Sequence, residues 1–281
     1  MRIKDLGFFV LAGIFFACVS EKDHLITIET RHGNMYAILY DETAEHKENF
    51  ITLAEDGRFD STTFYRVIKN FMIQGGDVFG KENISPEEWY TIPAEFNENF
   101  IHEKGSIAAA RQGDGINPEK RSSGCQFYIV QGKVYDDLEL TSDMEPLQES
   151  FMKFLQLSSN KSLSEQYSQL YQQGDFNGIN QLMLGKKKEL EDFFNTNLSK
   201  EISPEQLEAY TTVGGTPHLD GEYTVFGKVI QGLEVMEKIA AEATTAQDQP
   251  IEEVYMKVSV KEMPKEEISK VYGYKYPQQY E

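Results

Sequence analysis

The stretch Phe64-Tyr65-Arg66-Val67-Ile68-Lys69-Asn70-Phe71-Met72-Ile73-Gln74-Gly75-Gly76-Asp77 holds the residues of this chain best suited to chemistry. Arg66 lies among Phe64, Val67 and Ile68, so a permanently charged fork of N–H donors emerges from an apolar strand. Phe71 and Met72 follow on an adjacent short strand, and Gln74 stands between Ile73 and a sharp Gly75-Gly76-Asp77 turn. Such a set suits rotation about an amide bond that precedes proline. The barrier, about 18–20 kcal/mol, comes from amide conjugation, and no covalent bond has to form or break. The site needs an apolar socket for the proline ring, polar groups on the flanking backbone and one strong donor. That donor faces the nitrogen as it loses conjugation and becomes a hydrogen-bond acceptor. Phe71 and Met72 furnish the socket, Gln74 the grip and Arg66 the donor. Alone, Arg66 reads as a surface arginine and the aromatics as plain core. Their grouping in one segment gives the functional reading its weight.

This segment resembles the central signature of the cyclophilins, including its Gln-Gly-Gly-Asp turn. Three further blocks follow in family order. Gly105-Ser106-Ile107-Ala108-Ala109-Ala110-Arg111 resembles the strand whose backbone lies beside the bound peptide. Ser123-Gly124-Cys125-Gln126-Phe127-Tyr128-Ile129 resembles the strand that gives a Gln and an aromatic to the site. Thr216-Pro217-His218-Leu219-Asp220-Gly221-Glu222-Tyr223-Thr224-Val225-Phe226-Gly227 resembles the segment that closes it. The resemblance spans about Ile26–Lys133 and Gly214–Val260. It implies a peptidyl-prolyl cis-trans isomerase that needs no cofactor or metal. Arg66 is then the catalytic donor, and Phe71, Met72, Tyr128 and Leu219 line the proline pocket. Gln74 and Gln126 bind substrate backbone, Ala110 and Arg111 lie along the groove, and His218 and Tyr223 close the site. His218 stands where many members carry Trp, Tyr223 where many carry His, Tyr128 where Phe is usual and Arg111 where Asn is frequent. The first two bear on cyclosporin binding rather than on activity, and the hydroxyl of Tyr128 bears on how apolar the pocket is.

The elements that must position these residues are legible as short strands: Leu25–Thr30, Asn34–Tyr40, Thr63–Ile68, Phe71–Gln74, Ser106–Ala110, Gln126–Val130, Thr224–Ile230 and Val254–Val260. Arg31-His32-Gly33 makes a tight hairpin. Helices are expected at Thr43–Gly57, capped by Thr43 and stopped by Gly57, and at Leu233–Ala241. Many short strands with two helices predict a mainly β fold, a closed barrel capped at its ends. The resemblance makes that barrel eight-stranded and antiparallel. It is discontinuous, at 25–133 and 214–263.

Between them, residues 134–213 turn helical. Leu147, Phe151, Phe154 and Leu155 keep a helical period; so do Leu163, Tyr167, Leu170 and Tyr171, and then Ile179, Leu182, Met183, Leu190, Phe193 and Phe194. Ser142 with Glu145 and Ser162 with Glu165 are spaced as capping boxes, and Ser203-Pro204 as a cap before a first-turn proline. Lys186-Lys187-Lys188 reads as a solvated helix face. The tail, 264–281, is charged, tyrosine-rich and unpatterned.

The N-terminus reads as an address. Met1-Arg2-Ile3-Lys4 is basic, Leu6–Ala17 is almost wholly apolar, and Cys18 follows at the point where polarity begins. The apolar run is too short for a comfortable span. Residues 1–17 are expected to be a lipoprotein signal peptide, Cys18 the lipidation site and 18–24 a tether. Several acyl chains on one cysteine would hold the chain on a bacterial envelope membrane. The outer membrane and periplasm are the expected setting.

The 281 residues, 40% of them apolar and 12% aromatic, supply a real core, and the formal charge of −19 disfavours nucleic-acid binding. Cys125 reads as a small buried residue. The five histidines share no metal-ligand spacing, and the Asp114 and Asp220 loops complete no calcium pattern. The leading function is a monomeric foldase acting on proline-containing segments of exported, unfolded proteins. The second is a chaperone or interaction module in which the insertion grips the client and catalysis is incidental. A third, an inactive structural lipoprotein, gives no reason for Arg66.

Overall fold

The computed structural model describes residues 21–277; the predicted signal peptide and Cys18 lie outside them. The strands are β1 Lys22–Thr30, β2 Gly33–Leu39, β3 Thr62–Ile68, β4 Met72–Gly75, β5 Thr91–Ile92, β6 Ser106–Arg111, β7 Ser122–Val130, β8 Val225–Gln231 and β9 Tyr255–Pro264. The helices are α1 Ala44–Glu55, α2 Val78–Lys81, α3 Asp137–Leu140, α4 Met144–Leu155, α5 Lys161–Gln173, α6 Phe176–Phe194, α7 Pro204–Thr212, α8 Leu233–Ala240 and α9 Lys265–Tyr272.

The strands run in the order β4-β3-β9-β1-β2-β8-β6-β7, and β4 pairs again with β7, so eight strands close into a barrel. Every pairing is antiparallel; the two-residue β5 adds outside β7. Closure leaves no long edge for another chain to pair with. Ile26 and Ile28 of β1, Ile73 of β4, Ile107 of β6 and Phe127 of β7 point inward and are buried. Phe50 and Leu53 of α1 and Met236 and Ile239 of α8 join the same core, so the two helices cap it. Edge-on contacts of Phe127 with Phe50 and Phe59 tie one cap to the wall.

The chain leaves the barrel through a narrow neck. Lys133 and Gly215 exchange backbone hydrogen bonds of 3.2 and 3.0 Å, and Tyr135 N donates to Tyr210 O at 3.0 Å. Beyond the neck, α4 and α6 pack around Leu147, Phe151, Phe154, Met183 and Leu190, a core of their own. The chain returns through α7, whose capping box pairs Ser203 with Gln206.

Several local expectations are corrected. Ser142 does not cap α4: its hydroxyl donates to Leu138 O at 2.5 Å, and Asp143 takes the N-cap position. Ser162 lies inside the first turn of α5, because the 3-10 turn Ser158–Asn160 runs directly into the helix and makes Asn160 the N-cap. Thr43 occupies the N-cap of α1, but its side chain accepts no cap hydrogen bond. The distant Glu95 carboxylate accepts from Glu45 N and His46 N at 3.1 and 3.0 Å instead. Lys187 is buried and donates to Thr141 O at 3.3 Å, whereas Lys186 and Lys188 pair with Glu189 and Asp192 on the surface. Successive helical positions diverge by about 100°, so three adjacent lysines cannot share one face. Tyr171 and Phe193, whose spacing suggested core, are 61% and 56% exposed.

The ends also differ from expectation. β1 starts at Lys22, inside the expected tether, because Lys22–Thr30 pairs with Met256–Pro264 along its full length. The tail is patterned: α9 buries Ile268 against Leu25, Ile38 and Met263. Tyr276 then donates to Asp23 at 3.1 Å. Tyr272, Tyr274 and Tyr276 pack against the same cluster, so a polar-looking sequence covers an apolar strand face. Among the described residues no helix is long and apolar enough to cross a membrane.

Candidate active site

The site lies where β3, β4, β6 and β7 meet the Pro217–Tyr223 segment. On β3 the register with β4 shifts between Phe64 and Arg66. This bulge breaks strict alternation: Phe64 stays in the core while Tyr65 and Arg66 both remain partly exposed. Bulges redirect side chains in this way beside functional sites. The turn after β4 requires glycine at residue 76. Its φ is +80°, and a Cβ there would lie 2.8 Å from Cys125 O and from the Phe127 ring.

Arg66, Phe71, Met72, Gln74, Ala110, Arg111, Tyr128, Leu219 and Tyr223 line one cavity of about 170 Å³. Met72, Ala110, Tyr128 and Leu219 form a buried apolar cluster with Phe71 packed against it. The structure therefore brings together nine of the predicted residues. Gln126 and His218 do not line this cavity. His218 is exposed and stacks on Phe71, with ring centroids 5.7 Å apart. Partial desolvation against that ring holds its imidazole below the ordinary range.

Arg66 is 43% exposed and donates one long hydrogen bond, 3.4 Å, to Gln74 Oε1. Its nearest carboxylate, on Asp248, lies 3.9 Å from Nε. The guanidinium is thus oriented without being neutralised by a tight ion pair. Gln74 Nε2 donates to the Tyr65 hydroxyl at 2.5 Å, Tyr65 donates to Gln126 Oε1 at 3.0 Å, and Gln126 Nε2 donates to Asp77 Oδ1 at 3.0 Å. This directional chain fixes which way each amide points. Tyr65, which sequence reasoning passed over, is its middle link. Burial raises the phenol pKa, so Tyr65 stays protonated and able to donate. The alternation of β3 assigned one outward residue to this stretch, and only the bulge makes room for two.

Tyr128 carries the hydroxyl that distinguishes it from Phe. That hydroxyl lies 3.0 Å from His102 Nε2 and so is satisfied away from the cavity. The ring presents an apolar face to the socket and meets Tyr223 edge-on, centroids 5.9 Å apart. Arg111 is committed to its surroundings. It donates to Glu222 O at 2.8 Å, pairs with Asp114 at 2.5 Å and Glu222 at 3.1 Å, and lies 4.5 Å over the Tyr223 ring. The two acidic loops are therefore drawn together by one arginine. Cys125 is buried, and desolvation raises its thiol pKa, so little thiolate forms.

An apolar socket, an oriented arginine and a row of fixed amides thus lie side by side on one face of the barrel. The family profile for "Cyclophilin type peptidyl-prolyl cis-trans isomerase/CLD" matches residues 25–155 and 196–260, and the chain belongs to this family of peptidyl-prolyl cis-trans isomerases. A Staphylococcus haemolyticus protein named "Putative peptidyl-prolyl cis-trans isomerase" is 28% identical over 84% of this chain and 90% of its own length. A Streptococcus pyogenes protein named "Putative bifunctional phosphatase/peptidyl-prolyl cis-trans isomerase" is 29% identical over 82% of this chain, which spans 37% of that longer protein. Among solved structures, a Cryptosporidium parvum cyclophilin type peptidyl-prolyl cis-trans isomerase superposes with a TM-score of 0.51 at 18% identity, over 87% of this chain and all of that one, a likeness of fold.

Proposed function

We propose that Arg66 catalyses X-Pro rotation by donating a hydrogen bond to the prolyl nitrogen in the twisted transition state. The observation that carries this reading is the placement of Arg66 on the rim of the same cavity as Met72, Phe71, Tyr128 and Leu219. The proline ring sits in that apolar socket. Gln74, held by Arg66 and Tyr65, meets the flanking backbone, and Gln126 acts on it through Tyr65. Conjugation makes the ground-state nitrogen a poor acceptor, so the Arg66 bond strengthens only as the amide twists. Loss of one such donor typically costs about 10²–10³-fold in rate. In a coupled peptide isomerisation assay, Arg66→Ala should lower kcat/KM by that order. A wild-type chain no faster than the uncatalysed background would remove the proposal.

The substrates proposed are prolyl bonds in exported proteins, where uncatalysed isomerisation takes tens to hundreds of seconds. The basic start, the apolar run and Cys18 support a lipid-tethered envelope enzyme. Mass spectrometry of the N-terminal peptide from cells tests this: an acylated Cys18 is expected, and an unmodified thiol at that position contradicts it.

A further inference from the structure

The Asp220 carboxylate joins the helical insertion to the floor of the pocket. Its Oδ1 accepts from His102 N and His102 Nδ1 at 2.8 and 2.9 Å. Its Oδ2 accepts from the Tyr210 hydroxyl at 2.5 Å and from Gln206 Nε2 at 3.2 Å. Two of these donors belong to the barrel segment and two to α7. Because Nδ1 of His102 faces a carboxylate, it carries the proton, which leaves Nε2 to accept from the Tyr128 hydroxyl in the neutral ring. His102 and Tyr210 are fully buried. Gly215 is the close neighbour that lets the Tyr210 ring in, since a Cβ there would lie 2.6 Å from Tyr210 Cε1.

Both ends of this network reach the socket. Tyr128 is one wall, and Asp220 directly follows Leu219, another wall. Resting on the reading of this cavity as the prolyl site, we propose that Tyr210 of the insertion is a positioning residue of the isomerase. It holds Asp220, and through it Leu219, His102 and Tyr128, in the arrangement that receives proline. In this account the insertion does more than decorate the barrel, because its returning helix completes the site-closing segment. A buried network with every member satisfied fixes geometry more firmly than its separate bonds would.

Tyr210→Phe in the full chain removes the hydroxyl and keeps the ring. The expected result is a fall in kcat/KM of roughly fivefold or more, carried mainly by KM, together with displaced NMR signals from the Tyr128 ring and the Leu219 methyls. A merely structural tyrosine would lower the melting temperature and leave the KM-against-kcat split and those signals unmoved. Activity within twofold of wild type, or lost activity with the Tyr128 and Leu219 signals unchanged, overturns the proposal. If the wild-type chain proves inactive, the functional reading fails by itself. The NMR signals alone then decide whether Tyr210 orders the pocket.

Discussion

In the barrel, apolar side chains converge from every wall on one interior, and Ile26, Phe64, Ile73, Ile107 and Phe127 all touch a common core. In the insertion, α4 and α6 share a seam around Phe151 and Leu190, with α5 laid over it and no buried residue of its own. Tyr171, Phe176 and Phe193 there stay 61%, 65% and 56% exposed. The barrel holds its polar groups in fixed places because each wall strand is bonded on both sides. The bundle is joined to it by a neck and by α7, so most of its packing cannot reach Arg66. The lesson is that distance along the chain and distance from the chemistry are separate matters. Residues 142–199 lie beyond the neck, whereas Tyr210 bonds directly to Asp220, the hub of a network that ends in the pocket.

Paired truncations separate the two regions. Phe127→Ala and Phe151→Ala each remove a fully packed ring, and each should cost about 3–5 kcal/mol. Their consequences should differ. Phe127→Ala should lower the global unfolding free energy and the isomerase activity together, since β7 also carries Gln126 and Tyr128. Phe151→Ala should open the bundle locally, seen as faster amide exchange in α4 and α6, with kcat/KM nearly unchanged. A Phe151→Ala chain that loses activity as steeply as Phe127→Ala would show that the two regions fold and work as one.

A smaller effect concerns the pH dependence of the barrel alone. His46 is buried in α1, 2.5 Å from the Glu95 carboxylate and 2.9 Å from the Ser122 hydroxyl. Desolvation outweighs Glu95 and holds its pKa below the ordinary value of about 6.5. The unfolded chain therefore takes up this proton first as pH falls. The stability linked to the neutral ring is complete above about pH 6.5 and is lost as pH falls from there toward the folded-state pKa. Denaturant titrations should show this slope in wild type and a flatter one in His46→Gln. His218, also shifted down, would leave a residual slope of the same sign. An identical slope in both proteins would mean that folding leaves the His46 pKa unchanged, and an opposite-signed contribution lost in His46→Gln would mean that Glu95 holds the imidazole charged.

The barrel was legible because its strands carry period-two patterns and its site residues sit in contiguous blocks. Phe64–Asp77 alone supplied Arg66, Phe71, Met72 and Gln74, all of which line the cavity. What escaped notice depends on contacts distant in sequence. Glu95 caps α1 across about fifty residues, which no capping rule based on local spacing anticipates. Tyr65 needed the β3 bulge, and the network from Tyr210 through Asp220 and His102 to Tyr128 joins residues from opposite sides of the insertion. The tail was misread for a related reason: its tyrosines look polar until the β1 and β2 face they cover is known.

The central claim is that Arg66 acts on the transition state more than on binding. Two-dimensional exchange NMR on an Ala-Pro peptide reads both quantities, since peptide affinity and the cis-trans exchange rate on the protein come from one titration. For Arg66→Ala the account predicts affinity within a few-fold of wild type and an exchange rate lower by about 10²-fold or more. Equal exchange rates on the two proteins, or a loss of rate explained wholly by lost affinity, would contradict it.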